Sequence, residues 1–234
     1  MKAMILAAGR GERMRPLTDS VPKPLLKVAG CTLIEYHIKA LYRAGIRDIV
    51  INHAWLGDKI EQHLGDGRQF GVNIAYSAEQ TALETAGGIR HALPLLGKEP
   101  FLVINGDIWT DFPLIQLLTK AKKQLEASIW AHLLLVPNPI HHPEGDFCLR
   151  EGEPLVYEKN IYPDSPCFTF SGIGVYHPKI FYFLDEGRQA LAPVLTALIR
   201  EQHISAEVYR GDWFDIGTPQ RLKEINIYLA KKPA

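Results

Sequence analysis

The sequence predicts an α/β fold, and three observations support that prediction. Short apolar segments alternate with segments whose apolar residues recur at helical spacing, as in chains that alternate strands and helices. The 234 residues, 47% of them hydrophobic and 22% charged, are enough to bury a substantial core. No internal repeat or low-complexity segment interrupts the alternation. We therefore expect a single domain over residues 1–234.

The first half of the chain contains the repeating strand and helix units. The first predicted helix has the strongest signals, because Thr32 and Glu35 have capping-box spacing and Gly45 stands where a C-terminal cap belongs. The predicted strands are Lys2–Leu6, Asp48–Asn52, Val72–Tyr76 and Phe101–Asn105. The predicted helices are Leu33–Ala44, Leu56–Leu64 and Ala86–Leu95.

The second half continues the pattern after a change in composition. Residues 137–168 are rich in proline, glycine and charge, which predicts a small loop and hairpin lobe on the substrate side of the sheet. Thr218 as N-cap and Pro219 at the first helical position predict a final helix. The other predicted elements are strands at Ile129–Val136, Thr169–Tyr176 and Ala206–Arg210 and a helix at Leu191–Gln202.

Charge and cysteine content limit the partners and the compartment. Lys plus Arg equals Asp plus Glu at 26 each, so no overall field draws the chain to nucleic acid or to a membrane surface, and we expect small-molecule partners. Cys31, Cys148 and Cys167 form no CxxC pair and leave an odd thiol, which argues against a secreted disulfide framework. With no signal peptide and no membrane-spanning segment, the sequence predicts a cytoplasmic protein. It predicts no particular oligomeric state.

The segment LAAGRGERMRPLT, from Leu6 to Thr18, follows the first predicted strand and indicates an anion-binding loop. A dinucleotide fingerprint fails, because Met14 takes the place of the third glycine and Asn52, not an acidic residue, ends the second strand. A P-loop fails because no GKS or GKT follows. Glycines that free backbone N–H groups, with arginines nearby, suit a polyphosphate. The alternative is a surface turn with solvated arginines.

Two carboxylates stand at predicted strand ends. Asp107 in NGD directly follows the strand that ends at Asn105, in the crevice where an α/β sheet places a metal ligand beside a phosphate. Asp215 lies among the apolar residues of WFDIGTP, where an unpaired carboxylate is costly. The alternatives are a turn aspartate for Asp107 and a partner of the last helix for Asp215.

These motifs together resemble those of the sugar-phosphate nucleotidyltransferase family. LAAGRGERMRPLT, PKPLLKVAG, LETAGGI, NGD and WFDIGTP occur in the family's order over nearly the whole chain. The resemblance implies a Rossmann-like, three-layer α/β/α fold of the GT-A type, with a mixed, mainly parallel central sheet and a small hairpin lobe. It implies an enzyme that joins a nucleoside triphosphate to a sugar 1-phosphate with Mg²⁺ as cofactor.

The resemblance also implies residue roles. Arg13 and Lys23 would be the catalytic cations, and Asp107 and Asp215 the metal ligands. The nucleotide would contact Ala7, Ala8, Gly9, Arg10, Gly11, Glu79, Thr85, Gly87 and Asn105. The sugar would contact Glu158, Lys159, Ser171 and Gly172, and Ser171 replaces an asparagine that is common in the family. His141 and His142 are more typical of a solvated loop pair than of substrate ligands.

Within the family, the stretches INHAWLGDKIEQHLGDG and NGDIWTDF and the short lobe resemble members that use UTP and N-acetylmuramic acid 1-phosphate in peptidoglycan recycling. Arg150, Lys159 and the two histidines would suit the carboxylate of that sugar. Mannose-1-phosphate guanylyltransfer, glucose-1-phosphate thymidylyl or uridylyl transfer and choline-phosphate cytidylyl transfer remain alternatives. A non-catalytic nucleotide-sensing subunit is a further one, although such regulators usually lose the charged residues that this chain keeps.

Overall fold

The structure is a computed structural model, and it describes residues 1–149, 156–157 and 165–232. Arg150, Glu158 and Lys159 therefore lie outside the described residues. None of the helices in those ranges is long and apolar enough to cross a membrane. The helices are α1 (Leu33–Arg43), α2 (Gly57–Leu64), α3 (Glu84–Leu96), α4 (Leu114–Glu126), α5 (Leu191–Arg200) and α6 (Pro219–Lys231). The strands are β1 (Ala3–Leu6), β2 (Lys27–Val28), β3 (Cys31–Thr32), β4 (Asp48–His53), β5 (Asn73–Ala78), β6 (Phe101–Asn105), β7 (Ile108–Thr110), β8 (Ala131–Val136), β9 (Phe147–Leu149), β10 (Val156–Tyr157), β11 (Cys167–Tyr176), β12 (Ile204–Val208) and β13 (Trp213–Asp215).

The central sheet is mixed and mainly parallel, as predicted. β1 lies between β4 and β6 and is parallel to both, and β5 extends the parallel part beyond β4. β11 runs antiparallel between β6 and β8, and β12 pairs parallel with β8. β11, which is antiparallel to both of its neighbours, therefore lies between the parallel strands that carry the glycine loop and the β8–β12 pair.

Helices cover both faces of the sheet, and β1 shows why. Its residues alternate between two hydrophobic cores: Met4 packs in one, and Ala3 and Ile5 pack in the other. Helices α3 and α5 contribute to the first core, and α1, α2 and α4 contribute to the second. A strand that is buried on both sides reads as a continuous apolar run, which is what the start of this sequence contains. The predicted three-layer arrangement is confirmed.

The strong local signals were confirmed, but helix α4 and the short pairings β2–β3 and β13–β7 were not predicted. At the start of α1, Glu35 Oε2 accepts a hydrogen bond from the Thr32 backbone N–H at 3.2 Å, and the Thr218 side chain accepts one from the Arg221 backbone N–H at 3.3 Å to cap α6. The antiparallel pairing of β13 with β7 was not predicted. Both strands have three residues, too few for an alternating pattern to be recognised.

The described part of the predicted lobe contains a hairpin. β9 pairs antiparallel with β10 and also with the start of β11. Cys148 and Cys167 are directly opposite each other in that second pairing and form a disulfide, while Cys31 is a free thiol. The sequence argued only against a secreted disulfide framework and did not predict this single pair. The two cysteines are 19 residues apart in the chain, so only the strand register brings them together.

Gly106 provides a test of how closely the segment after β6 approaches β1. Its N–H donates to the Leu6 carbonyl at 2.9 Å, and a Cβ at this position would lie 2.5 Å from that oxygen. We expect Gly106→Ala to reduce the free energy of unfolding by about 2 kcal/mol, because the backbone must move. Thermal denaturation should show the melting temperature falling by roughly 5 °C.

Gly9→Ala is the matched control, because no atom lies within 4 Å of the position of its Cβ. Its melting temperature should stay close to that of the wild type. Equal melting temperatures for the wild type and Gly106→Ala would contradict the close approach.

Candidate active site

A cavity of about 570 Å³ opens at the carboxyl ends of β1 and β6, the edge at which open α/β sheets bind ligands. Its walls come from the loop after β1, the segment after β6, the start of α3 and Gly217. Many of the residues predicted from the sequence line it. They are Ala7, Ala8, Gly9, Gly11, Arg13, Lys23, Thr85, Asn105 and Asp107.

The glycine-rich loop is tightly folded at Gly11 and open at Gly9. Gly11 has a φ of 69°, and its carbonyl accepts hydrogen bonds from the Met14 N–H at 2.9 Å and the Thr18 hydroxyl at 2.8 Å. A side chain at Gly11 would be strained in that left-handed conformation. At Gly9 the space around a Cβ is empty, so a ligand can approach the backbone there.

Arg10 braces this loop, although it was predicted to bind the nucleotide. Its guanidinium donates to the Thr18 carbonyl at 2.8 Å and to Asp19 Oδ1 at 2.9 Å, and it lies over the Trp55 ring at 3.9 Å. The hydrogen bond from Arg10 holds the pKa of the Asp19 carboxyl below its ordinary value. Arg10 is thus committed to local partners, whereas Arg13 on the same loop is exposed and lines the cavity.

Asn52 and Glu79 fix the start of the loop from the neighbouring strand. Asn52 Oδ1 accepts from the Ala7 N–H at 2.9 Å, and Asn52 Nδ2 donates to Glu79 Oε1 at 2.6 Å. Glu79 Oε2 also accepts from the Leu83 N–H at 2.8 Å. The pair fits under α3 because Gly88 has no side chain, since a Cβ there would lie 2.8 Å from both groups.

These contacts give Glu79 a supporting role in the wall of the site, while its nucleotide contact stays a prediction, and they bring Asn52 to the site. Glu79 is only 7% exposed and both of its carboxylate oxygens have protein partners, so it supports the cavity wall from behind. Asn52 lines the cavity and was used in the sequence analysis only to exclude a dinucleotide site. A polar residue near the carboxyl end of an apolar strand was the signal that could have identified it.

Gly87, also predicted to contact the nucleotide, allows a second loop to dock on α3. Its N–H donates to the Gln189 carbonyl at 3.1 Å, and a Cβ there would lie 2.2 Å from the Gly187 carbonyl. This docking puts Arg188 at the cavity rim, with its Nη2 2.7 Å from Glu84 Oε1. No sequence pattern marks an exposed arginine in an irregular segment as a site residue, so Arg188 was not predicted.

Two predicted site residues of opposite charge, Lys23 and Asp107, are in direct contact. The Lys23 side chain is only 10% exposed, and its Nζ lies 2.6 Å from Asp107 Oδ2. Behind them His37 is fully buried, and burial lowers its pKa to about 4. The imidazole is therefore neutral near pH 7 and adds no positive charge beside Asp107.

Asp215 joins this region through the β13–β7 pairing. The Ile216 N–H donates to the Asp107 carbonyl at 2.8 Å, so the two predicted metal ligands are on adjacent, hydrogen-bonded backbone segments. Asp215 Oδ2 accepts a hydrogen bond from Arg221 Nη1 and lies 3.2 Å from His141 Nε2. Arg221 Nη1 is itself 3.1 Å from that histidine nitrogen.

Arg221 and His141 were both missed as site residues. Arg221 lies in the first turn of α6, where a charged residue is ordinary. His141 was expected, with His142, to form a solvated loop pair, and only His142 stays in its own loop, 2.9 Å from Asp146 Oδ1. The contact of His141 with Asp215 spans 74 positions in the sequence and depends on how the lobe lies over the sheet.

The predicted sugar-contacting residues in the described part of the chain support a break in β11. Ser171 is fully buried, and its hydroxyl accepts a hydrogen bond from the Ile173 N–H at 3.2 Å, next to a shift in the β11–β8 register. Gly172 has a φ of 82°, and a Cβ there would lie 2.7 Å from Asn105 Nδ2. The small residues let this bend pass close to Asn105, while the predicted contacts of Glu158 and Lys159 fall outside the described residues.

Comparison with known proteins identifies the family. A family profile described as nucleotidyl transferase matches residues 2–232. The chain is 54% identical over 226 residues to the N-acetylmuramate alpha-1-phosphate uridylyltransferase of Neisseria meningitidis serogroup B, and the match covers 96% of each chain. The chain belongs to the nucleotidyl transferase family.

A second relative agrees with this assignment, and a solved structure has the same fold. The N-acetylmuramate alpha-1-phosphate uridylyltransferase of Caulobacter vibrioides is 32% identical over 225 residues, covering 93% of this chain and 92% of that protein. A crystal structure from Bacillus anthracis, assigned as a glucose-1-phosphate thymidylyltransferase, has 24% identity and a TM-score of 0.85, covering 100% of this chain and 97% of that one. The structural match confirms the predicted fold class, while the individual roles of the site residues remain predictions.

The Asn52–Glu79 pair can be tested by a double-mutant cycle on nucleotide affinity. We expect Asn52→Ala and Glu79→Ala each to weaken binding of a nucleoside triphosphate about tenfold, because both release the Ala7 backbone from its position. The double variant should bind the nucleotide only slightly more weakly than the weaker-binding single variant, because the two residues act through one chain of hydrogen bonds. Isothermal titration calorimetry measures the nucleotide affinity of the two single variants and of the double variant.

Asn73→Ala is the matched control, because Asn73 Nδ2 donates to Asp48 Oδ1 at 3.0 Å across the same two strands at their opposite ends. Its nucleotide affinity should equal that of the wild type. A double variant whose loss is the product of the two single losses would show that Asn52 and Glu79 act independently.

Proposed function

We propose that this protein is a uridylyltransferase that joins UTP to N-acetylmuramic acid 1-phosphate, giving UDP-N-acetylmuramic acid and pyrophosphate. The observation that carries the proposal is 54% identity to a protein of that name over 96% of both chains. The cavity supports it, because cationic and carboxylate side chains meet there around an open glycine backbone. A nucleotide-sensing subunit would not need both of its cations and both of its carboxylates.

The proposed reaction is an attack of a sugar-phosphate oxygen on the α-phosphorus of the nucleotide. The new P–O bond forms as the bond to the β-phosphate oxygen breaks, and pyrophosphate leaves with the electron pair. The attacking phosphate is already ionised near neutral pH, so no general base is required. The main obstacle is repulsion between anions, which positioned cations reduce.

Lys23 and Arg13 are the side chains that we expect to reduce this repulsion. Lys23 is held at one place by burial and by Asp107, which suits a group that must lie between the two reacting phosphates. Arg13 is exposed on the glycine loop, which suits a group that follows the departing pyrophosphate. The backbone at Ala8 and Gly9 and the start of α3 line the same cavity, and we expect the base to lie near Thr85.

The residues present fit the predicted Mg²⁺. Within the described ranges, no three histidine, cysteine or acidic side chains lie close enough to hold a metal alone. Mg²⁺ in nucleotide enzymes is typically held by one or two carboxylates together with substrate phosphates, which is what Asp107 and Asp215 would provide. When bound, the ion would neutralise charge on the phosphates and orient them.

The sugar would lie on the other side of β6, toward the lobe at residues 137–168. N-acetylmuramic acid carries a lactyl carboxylate, so its pocket needs room and a cation rather than a bare acidic group. His141 brings the described part of the lobe into contact with Asp215. Arg150 and Lys159, proposed from the sequence, are further candidates to face that carboxylate.

Substrate choice is the direct test of this proposal. We expect UTP to be preferred over ATP, GTP, CTP and dTTP, and N-acetylmuramic acid 1-phosphate to be preferred over the 1-phosphates of glucose, mannose and N-acetylglucosamine. A pyrophosphate-release assay over this matrix gives kcat/KM for each pair. Equal or better use of glucose or mannose 1-phosphate would refute the sugar assignment and leave nucleotidyl transfer standing.

The carboxylates are tested by replacements that keep their shape. Asp107→Asn and Asp215→Asn should each lower kcat/KM roughly a hundredfold or more, because a neutral amide cannot hold the cation that balances the phosphates. Asp66→Asn is the control, since Asp66 pairs only locally with Arg68 at 3.1 Å. Activity is measured at saturating Mg²⁺, with circular dichroism to verify folding. Near-normal turnover of either site variant would exclude that residue as a ligand.

A further inference from the structure

Each of the two proposed metal ligands already has a cation from the protein. Lys23 Nζ lies 2.6 Å from Asp107 Oδ2, and Arg221 Nη1 donates to Asp215 Oδ2. In the described part of the chain, these carboxylates accept their side-chain hydrogen bonds through Oδ2. The lysine is an expected member of the site, and the arginine has no role in the function proposed above.

Arg221 faces the same space as Arg13, the arginine that we expect to act in catalysis. A Cβ placed on Gly217, which lines the cavity, would lie 3.3 Å from Arg221 Nη1, 3.3 Å from Arg13 Nη2 and 2.9 Å from Asp215 Oδ1. The missing side chain of Gly217 thus leaves one small volume that all three groups border. A phosphate oxygen entering that volume would be within reach of both guanidinium groups.

This arrangement makes a free divalent cation a poor ligand for the site. A metal ion at Asp215 must displace Arg221 from Oδ2 or accept a guanidinium as its immediate neighbour, and both are costly. The same holds for Lys23 at Asp107. A metal–nucleotide complex removes the cost, because its phosphates provide the acceptors that the two protein cations would otherwise lose.

We propose that Arg221 is a positioning residue that occupies Asp215 in place of the metal and passes to a phosphate oxygen when the metal–nucleotide complex binds. Lys23 makes the same exchange at Asp107. No covalent bond changes, and every charge has a partner before and after the exchange. This inference rests on the proposed nucleotidyl transfer, but its metal-binding half is independent of which nucleotide and sugar are used.

His141 holds the arrangement from the side of the lobe. Its Nε2 lies 3.2 Å from Asp215 Oδ2 and 3.1 Å from Arg221 Nη1, so it contacts both members of the pair. It therefore remains as a partner for Asp215 when Arg221 leaves. The exchange would therefore change the contacts of His141, which lies in the lobe that we place beside the sugar.

The test is the affinity of Arg221→Gln for free metal and for metal–nucleotide. Mn²⁺, which accepts the same oxygen ligands as Mg²⁺, is titrated into nucleotide-free protein and followed by electron paramagnetic resonance. We expect about fivefold tighter Mn²⁺ binding, because the competing cation of a partly exposed ion pair is gone. Calorimetry with Mg·UTP, without sugar phosphate so that no turnover occurs, should show about tenfold weaker binding.

Three further variants test whether the effect arises at the Arg221–Asp215 pair. Arg68→Gln removes an exposed arginine that pairs with Asp66 at 3.1 Å and should change neither affinity. Arg221→Gln combined with Asp215→Asn should lose the tightened Mn²⁺ binding, because the carboxylate that gained the metal is gone. Arg221→Lys keeps the charge and should keep Mn²⁺ binding close to that of the wild type.

The opposite changes in the two affinities distinguish exchange from a purely structural ion pair. If Arg221→Gln left Mn²⁺ binding unchanged or weakened it, Arg221 would only hold α6 against β13, and the proposal would be wrong. Unchanged Mg·UTP binding would overturn the transfer to phosphate. Failure of the wild type to use UTP would instead count against the proposed function, and the Mn²⁺ result would still decide whether Arg221 competes with metal.

Discussion

The parallel pairing of β1 with β4 and β6 is the interaction on which the site depends. Its register places Leu6 opposite Asn52 on one side and opposite Asn105 on the other. The glycine-rich loop and the NGD segment therefore leave the sheet beside each other, and Asn52 reaches them from the third strand. A shift of the strand register by one residue would turn these side chains to the other face of the sheet, and they would no longer meet at the site.

Around that edge, several polar residues are used to hold backbone rather than to face a ligand. Asn52 and Glu79 secure the first residue of the loop, Arg10 and Asp19 secure its far end, and backbone contacts at Gly87 secure the segment that carries Arg188. A loop that presents backbone N–H groups to a phosphate must be rigid before the phosphate arrives, because ordering it during binding would weaken affinity. The supporting contacts meet that requirement.

The charges of the site are balanced within the protein. Lys23 faces Asp107 and Arg221 faces Asp215, so these four charged side chains are paired in a partly buried region. An unpaired charge there would destabilise the fold. Under the proposed exchange, a ligand replaces these pairs by offering both positive and negative charge, as a metal–polyphosphate complex does.

The sequence alone determined the α/β class, nearly all of the long strands and helices, the caps of α1 and α6 and the cavity positions of Arg13, Lys23 and Asp107, because periodicity, capping spacing and short motifs are local properties. Only the tertiary structure decided that Arg10 and Glu79 support the wall, that Cys148 meets Cys167, and that Arg221 and His141 meet at Asp215. The contacts of Glu79 with Asn52, of Cys148 with Cys167 and of His141 with Asp215 and Arg221 depend on strand register and join residues 19 to 80 positions apart in the sequence. Such neighbours are set by the packing of the whole chain, which no local pattern encodes.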